Sequence, residues 1–294
     1  MSRFQAWKTA ARPHTLPAAV VPVLVGSGLA AGEGVFRWDA FLWALVGALA
    51  IQVAANFAND ASDAHRGADP ADRAGPPRMV ALGVISARNM WVATWIAVGI
   101  AAVAGVFLAI IAGWVILLIG VSSVVAMLGY VGGPAPYGYR GLGELFVFVF
   151  FGLVATVGSR YVHDMTAPLQ AWLLAVPIGM LVTAILVANN YRDIATDARV
   201  GKRTLAVMMG ADRTRRLFGG LVFGAFVAIA VFATAGWTPV STLFSCFLLP
   251  FAVVPLRILS LRSDGPSLIR ALKATARLHL AVGASLAASV ALVP

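Results

Sequence analysis

Two short polar stretches interrupt an otherwise apolar chain of 294 residues, and they hold half of its twelve acidic residues. The stretches read NFANDASDAHRGADPADRAGPPR and NNYRDIATDARVGKRTLAV, and their acids are Asp60, Asp63, Asp69, Asp72, Asp193 and Asp197. An Asp at the centre of a bilayer costs about 2.5 to 3.5 kcal/mol on insertion scales. Several together are tolerated beside a water-filled cavity, a cation or the interface, so the stretches predict a functional site.

The spacing within each stretch brings oxygen ligands together. Asn56 and Asp60 are four residues apart, and Asn189, Asp193 and Asp197 repeat the same interval. Residues four apart share one face of a helix. Carboxylate and amide oxygens suit a hard cation such as Mg²⁺, which completes its shell with water and phosphate oxygens. We therefore expect a Mg²⁺ site at this pair of stretches.

Basic residues follow the second set of acids. Arg192, Lys202 and Arg203 are suited to diphosphate oxygens, Arg as a planar fork and Lys as a point charge. The alternative is that they only fix the orientation of the chain, which we prefer for Arg213, Arg215 and Arg216. An Asp taken alone is equally well a solvated loop residue, and we keep that interpretation for Asp72 and Asp212.

A glycine-rich segment between the two stretches offers a different chemistry. It reads GYVGGPAPYGYRGLGE, and the candidate residues that we take from it are Tyr137, Tyr139, Arg140 and Glu144. Two tyrosines beside a carboxylate are able to shape an aromatic acceptor pocket or to stabilise an allylic cation through their ring faces. A plain turn explains the segment equally well.

The elements that position these residues are membrane helices. The chain is 60% hydrophobic and 12% charged, which excludes an ordinary soluble globular protein. Its single domain, residues 1–294, is predicted to be all-α with nine transmembrane helices. The two stretches follow the second and sixth helices as motif loops 56–72 and 189–204, which indicates a weak internal repeat of four-helix units. The apolar runs fall at residues 15–32, 38–58, 90–109, 114–131, 142–160, 168–190, 217–236, 238–258 and 272–293.

The distribution of positive charge predicts the orientation. With a cytoplasmic N-terminus, 20 of the 22 Lys and Arg residues fall on the inner side, and Arg37 and Arg160 are the exceptions. This bias is typical of plasma (inner) membrane proteins, so we expect a multi-pass protein in contact with membrane lipid and with its site facing the cytoplasm. It also explains the net charge of +10 without a nucleic-acid partner.

The two motif stretches resemble those of the UbiA superfamily of intramembrane prenyltransferases. The resemblance covers essentially the whole chain, and it implies nine helices around a central cavity in which Mg²⁺ holds a prenyl diphosphate. It assigns catalysis to Asp60, Asp63, Asp193 and Asp197, and diphosphate binding to Asn56, Asn189, Arg192, Lys202 and Arg203. The implied metal ligands are Asn56, Asp60, Asp63, Asp69, Asn189, Asp193 and Asp197. Gly67 stands where many members have a further Asp, and Asp69 is expected to replace it.

Four segments resemble the menaquinone branch of that superfamily more narrowly. They are RPHTLPAA, NFANDASDAHRGAD, GGPAPYGYRGLGELFVFVFFG and the second motif stretch. The resemblance implies transfer of a polyprenyl group from polyprenyl diphosphate to 1,4-dihydroxy-2-naphthoate with loss of CO₂, giving demethylmenaquinone. Tyr137, Tyr139, Arg140 and Glu144 would then surround the aromatic acceptor.

Two other interpretations stay open from the sequence. A relative with another aromatic acceptor, such as hydroxybenzoate, would share both motif stretches. A secondary transporter would also carry intramembrane acids and internal repeats, but its sites usually lie near the midplane in broken helices. Here both clusters sit at inner helix ends beside phosphate-suited cations, which favours the enzyme.

Overall fold

A computed structural model describes residues 1–67, 75, 77–132 and 136–292 as an almost entirely helical chain. Asp69 and Asp72 lie outside these described residues. The α-helices are α1 (Arg3–Ala11), α2 (Pro17–Gly32), α3 (Trp38–His65), α4 (Ala87–Ala112), α5 (Val115–Val131), α6 (Gly143–Val147), α7 (Ala155–Asp164), α8 (Leu169–Arg192), α9 (Ile194–Arg199), α10 (Leu205–Met209), α11 (Ala211–Thr234), α12 (Leu249–Leu261) and α13 (Gly265–Leu292).

Some helices are connected by π-helical or 3-10 segments. A π-helical segment, Phe148–Val154, joins α6 to α7 in one continuous span, and a 3-10 segment, Val240–Leu248, leads directly into α12. Short 3-10 turns at Pro13–Thr15 and Tyr137–Tyr139 precede α2 and α6. The sequence separates the apolar runs 90–109 and 114–131, and 217–236 and 238–258, by only a few residues, and the structure confirms a helix break in both places. Helix α4 ends before Gly113 and α11 ends before Gly236, and these glycines have positive φ angles of 82° and 73°.

The number of membrane crossings is smaller by length and composition than the sequence predicts. Among the described residues, seven helices are long and apolar enough to cross a membrane, and an eighth is reached if α1 and α2, bent by 48°, form one span. Helix α5, with 17 residues, is a shorter apolar helix. All nine apolar runs do fall on helices, but nine crossings stays a prediction.

The motif stretches are more helical than predicted. The run expected to end at residue 58 continues as α3 to His65, so Asn56, Asp60 and Asp63 lie in the last turns of a helix rather than in a loop. The second stretch starts on α8, which ends at Arg192, and continues into α9. The spacing of four therefore places Asn56 and Asp60 along α3, whereas Asn189, Asp193 and Asp197 do not share one continuous helix, because α8 ends at Arg192 and α9 begins at Ile194.

Helix α8 lies at the centre of the packed core. It contacts α7, α11 and α13, and its buried residues include Leu174, Ile178 and Leu181. Helices α4 and α5 instead leave large apolar side chains exposed, among them Trp95, Ile110 and Val121. Exposed apolar faces of this size on long helices are those that contact lipid. The bundle therefore has a buried core on α8 and a lipid-facing surface on α4 and α5.

Glycine permits a close crossing between α2 and α13. A Cβ atom added at Gly28 would lie 2.7 Å from the carbonyl oxygen of Ala287, a backbone atom that cannot turn away. Small residues at such crossings let helix backbones approach within a membrane, where packing rather than the hydrophobic effect holds helices together.

We expect Gly28→Ala to lower the free energy of unfolding by about 1 to 3 kcal/mol, because the extra methyl forces the two helices apart. Gly99→Ala on α4 is the matched control, since a Cβ there meets no heavy atom within 4 Å and alanine favours the helix. Unfolding in detergent by SDS titration measures both, and equal stabilities for the two variants would contradict the close crossing.

Candidate active site

A cavity of about 350 Å³ opens between the helices that carry the two motifs. Its walls come from α2, α3, α4, α5, the α6–α7 span and α8, with a contribution from Leu272 of α13. Where the helices bear the motifs, the lining is polar. Elsewhere it is made largely of small or apolar residues, such as Ala48, Gly105, Gly120 and Val162.

Four cationic side chains reach the polar end of the cavity. They are Arg12, Arg78, Arg192 and Lys202, and three asparagine amides, Asn56, Asn59 and Asn189, lie with them in the wall. Such a concentration of guanidinium and ammonium groups in a cleft suits a ligand with several phosphate oxygens. The sequence interpretation included Arg192 and Lys202 but missed Arg12, Arg78 and Asn59.

Among the described residues, Asp63 is the acid that lines this cavity. Its carboxylate accepts hydrogen bonds from Nη2 of Arg78 at 2.9 Å and from the hydroxyl of Tyr139 at 2.8 Å. Asn59 precedes it by four residues and lines the same wall. The interval of four residues between Asn59 and Asp63 is the sequence signal that would have predicted this pair, as the interval between Asn56 and Asp60 predicted the other.

Asp60 faces a different partner. Its two carboxylate oxygens accept the backbone N–H groups of Met79 and Val80 at 3.0 and 3.1 Å, and its side chain is almost fully buried behind the cavity wall. The contact fixes the segment that begins at Arg78. Asp60 therefore acts on the cavity through the backbone next to Arg78.

The second motif forms a chain of charge pairs. Arg192 donates from Nε and Nη2 to the carboxylate of Asp193 at 2.8 and 2.6 Å, and Nη2 also reaches Oδ1 of Asn189 at 2.9 Å. Lys202 lies 3.9 Å from Asp197. The two acids stand outside the cavity lining, whereas Asn189, Arg192 and Lys202 are part of it. The acids thus hold the cations that face the cavity.

Tyr139 connects the two motifs. Its hydroxyl is bound to Asp63 of the first motif, its carbonyl oxygen accepts the backbone N–H of Arg203 at 3.2 Å, and Nζ of Lys202 stands 5.0 Å from its ring centroid. A cation at this distance over an aromatic ring is attracted to the ring face. Tyr139 is thereby a structural bridge, and it lines a separate pocket with Arg140 and Arg203.

Tyr137 belongs to an aromatic wall of the main cavity. Its ring stacks on Phe146 with centroids 3.9 Å apart and meets Tyr130 edge-on at 5.5 Å. Burial raises the pKa of the Tyr137 phenol, so the hydroxyl stays protonated and donates to the carbonyl of Ala126 at 2.6 Å. Tyr130, which the sequence interpretation missed, lines the cavity as well.

Two glycines of the glycine-rich segment between the motif stretches make room for the ring of Tyr130. A Cβ at Gly138 would lie 2.9 Å from Cε2 of Tyr130, and one at Gly143 would lie 3.2 Å from the same atom. The ring is therefore held against backbone from two sides. This close approach explains two of the glycines that the sequence suggested as turn residues.

Glu144 sits behind this wall. It is 7% exposed, and its Oε1 accepts the Nδ2 group of Asn190 at 2.9 Å. Asn190 itself lines the cavity, whereas Glu144 does not. Of the four residues predicted to surround an acceptor, Tyr137 is thus in the wall, Glu144 backs it, and Tyr139 and Arg140 are elsewhere.

The donor set at the polar end is suited to Mg²⁺ that arrives with a phosphate ligand. Among the described residues, no three His, Cys, Asp or Glu side chains are grouped closely enough to hold a metal ion by themselves. Mg²⁺ commonly uses one or two carboxylates together with substrate phosphates and water. The Asp63 carboxylate and the amide oxygens of Asn56 and Asn59 meet that requirement, whereas the amide oxygen of Asn189 already accepts from Arg192.

Comparison with known proteins agrees with this architecture. Residues 19–280 match the family model described as the UbiA prenyltransferase family. The chain is 42% identical over 236 residues to the 1,4-dihydroxy-2-naphthoate octaprenyltransferase of Mycobacterium tuberculosis, covering 80% of each chain. It is 39% identical over 238 residues to the Escherichia coli protein of the same name, covering 79% of this chain and 77% of that one.

Solved structures share the fold at low sequence identity. A UbiA homologue from Archaeoglobus fulgidus bound to DMAPP and Mg²⁺ superimposes with a TM-score of 0.67 at 13% identity, covering 95% of this chain and 98% of that chain. The apo structure of a UbiA homologue from Aeropyrum pernix K1 gives a TM-score of 0.69 at 15% identity, with 97% and 98% covered. With the family model spanning most of its length, this multi-pass membrane protein belongs to the UbiA prenyltransferase family.

Proposed function

We propose that this protein transfers a polyprenyl group from polyprenyl diphosphate to 1,4-dihydroxy-2-naphthoate, a step of menaquinone biosynthesis. The observation that carries the proposal is one cavity with two unlike ends. Four cations and Asp63 line one end, while small and apolar residues line the rest. A diphosphate head with a long isoprenoid tail has the same division of chemistry. The names of the relatives from M. tuberculosis and E. coli support the naphthoate acceptor.

The cations would bind the diphosphate and stabilise the charge that grows on it as it leaves. Arg12, Arg78, Arg192 and Lys202 supply this positive potential at the cavity wall, in a setting where preorganised charge is most effective. Mg²⁺, when bound, would neutralise phosphate charge and act as a Lewis acid on the leaving group. Asp63, with the asparagine amides beside it, is the residue we assign to hold that ion.

The other motif acids would position rather than touch the substrate. Asp193 and Asp197 orient Arg192 and Lys202, and Asp60 fixes the backbone beside Arg78. Each pairing keeps a cation aimed at the cavity and lowers the cost of burying charge. Of the four acids predicted to be catalytic, Asp63 would face the ligand. The other three would hold the cationic residues of the cavity in position.

The bond changes balance without a base at the ring carbon. The carbon–oxygen bond between the prenyl group and diphosphate breaks, leaving an allylic cation and diphosphate. The ring carbon that bears the carboxylate then attacks this cation, and the electron pair of the carbon–carboxylate bond returns to the ring as CO₂ departs. No oxidant takes part, so the immediate product is demethylmenaquinol, the hydroquinone form of the demethylmenaquinone that the resemblance implies. Aromatic rings in the cavity wall, such as those of Tyr130 and Tyr137, would stabilise the cation.

The orientation in the membrane is part of the same proposal. We infer nine crossings, a cytoplasmic N-terminus and a central cavity that opens toward the cytoplasm of the plasma (inner) membrane. The excess of Lys and Arg at the ends of the helices that carry the motifs supports this orientation.

The proposal is tested in proteoliposomes with Mg²⁺, a polyprenyl diphosphate and carboxyl-labelled naphthoate. We expect prenylated product and released CO₂ in equal amounts. Asp63→Asn should lower kcat by about 100-fold or more, because it removes a preorganised charge from the reacting region. Asp39→Asn is the matched control, since Asp39 lies at the opposite end of α3 and is exposed, and it should keep wild-type activity.

Acceptor specificity decides the outcome of that assay. Transfer to hydroxybenzoate alone would keep the family and overturn the naphthoate assignment. Absence of transfer to any aromatic acceptor would overturn the proposed function. An Asp63→Asn variant as active as Asp39→Asn would remove Asp63 from the site.

Thiol labelling tests the orientation separately. Cys246 is the one cysteine of the chain, so Cys246→Ser provides a thiol-free background. In that background we expect Thr166→Cys to react with a membrane-impermeant maleimide in intact cells and Ser2→Cys to react after permeabilisation alone. The reverse labelling pattern would show that the N-terminus faces outward.

A further inference from the structure

Glu144 differs from the other buried carboxylates of the bundle. Asp63 and Asp193 each carry an arginine partner, at 2.9 and 2.6 Å, and Asp60 accepts two backbone N–H groups. Among the described residues, Glu144 forms no ion pair, and its Oε2 atom is buried with no hydrogen-bond partner. A carboxyl group in this state within a membrane helix is costly, which marks it for function.

The one hydrogen bond of Glu144 determines the orientation of Asn190. A carboxylate oxygen accepts, so the atom of Asn190 that contacts it must be the Nδ2 amine. The amide oxygen Oδ1 is then left over, and it accepts no hydrogen bond from any described residue. Asn190 is 3% exposed and lines the cavity, so Oδ1 is available to a hydrogen-bond donor that enters the cavity.

The surroundings of Asn190 select a flat ring. Tyr130, Tyr137 and Phe146 form the aromatic wall of the same cavity, and Gly138 and Gly143 hold the ring of Tyr130 in place. A planar aromatic ligand packs well on such a wall. A hydroxyl on the edge of that ligand would supply the donor that Asn190 lacks.

We infer that Oδ1 of Asn190 accepts the hydrogen bond of a ring hydroxyl of the aromatic acceptor. Glu144 is the positioning residue that holds the amide with this oxygen toward the cavity. Hydrogen bonds in a chain polarise one another, so the Glu144 carboxylate also makes Oδ1 a better acceptor and shifts electron density toward the ring. The inference rests on the proposed function, because it presumes that the ligand is a hydroxylated aromatic compound.

The consequence is a requirement for one particular hydroxyl. A site built to bond a hydroxyl rejects an analogue that lacks it, because a buried polar group is left unpaired. Of the two monohydroxy analogues of the acceptor, 1-hydroxy-2-naphthoate and 4-hydroxy-2-naphthoate, one should therefore bind much more weakly than the dihydroxy compound.

Equilibrium binding to the purified protein, followed by tryptophan fluorescence, tests the pairing of residue and hydroxyl. In wild type we expect the weaker analogue to bind about 10-fold less tightly than 1,4-dihydroxy-2-naphthoate, the size of one buried hydrogen bond. In Asn190→Leu, which keeps the volume, the two compounds should bind equally, at the affinity that the analogue has for wild type. Glu144→Leu should give the same loss of discrimination.

Two controls separate this role from general damage. Thr183→Val changes a buried polar residue two turns earlier on α8 that lies outside the cavity lining, and it should preserve the discrimination. Binding of geranyl diphosphate with Mg²⁺ should stay within twofold of wild type in every variant.

The binding measurements can support or overturn the inferred hydrogen bond between Asn190 and the ring hydroxyl. Full discrimination in Asn190→Leu, equal loss in Thr183→Val, or no naphthoate binding by wild type would overturn the inference. Because these measurements need no turnover, they are distinct from the test of the proposed function: intact discrimination without prenyl transfer would overturn the function and keep the binding site, whereas transfer without discrimination would do the opposite.

Discussion

Charge buried in an apolar bundle must be compensated, and the polar end of this protein is organised by that requirement. Each motif acid among the described residues has a partner: Asp63 pairs with Arg78, Asp60 accepts the N–H groups of Met79 and Val80, Asp193 pairs with the adjacent Arg192, and Asp197 lies beside Lys202. An unpaired charge there would cost several kcal/mol. Compensation therefore ties the segment at Arg78 to the end of α3 and holds Arg78, Arg192 and Lys202 in the cavity lining.

Tyr139 turns two compensated clusters into one unit. It binds the first motif through its hydroxyl and the second through its backbone carbonyl and ring face. The 3-10 turn that carries it also places Tyr137 in the aromatic wall. One short segment thus joins the end that suits a diphosphate to the wall that suits a ring, so the geometry of the two halves is coupled.

The apolar pattern predicted the helices well because burial in lipid imposes length and composition on each span. It ended α3 too early, since the polar residues after position 58 resemble a loop when their partners are unknown. The sequence does not show which residues meet after folding. For this reason the prediction chose Asn56 and omitted Asn59, and it missed Arg12 and Arg78, which reach the cavity through packing. Membership of the family and the positions of the motifs were predictable, whereas the partner of each acid required coordinates.

The π-helical segment has a geometric effect on the span from Gly143 to Asp164. Cavity-lining residues recur there at intervals of four, from Phe146 through Phe150 and Val154 to Val162. In a regular α-helix each such step would rotate the side chain by about 40°, and four steps would carry it to nearly the opposite side. The wider turns of Phe148–Val154 offset this rotation. A single helix can therefore keep a continuous stripe of side chains facing the cavity. In a regular α-helix the later residues of this stripe would face the lipid.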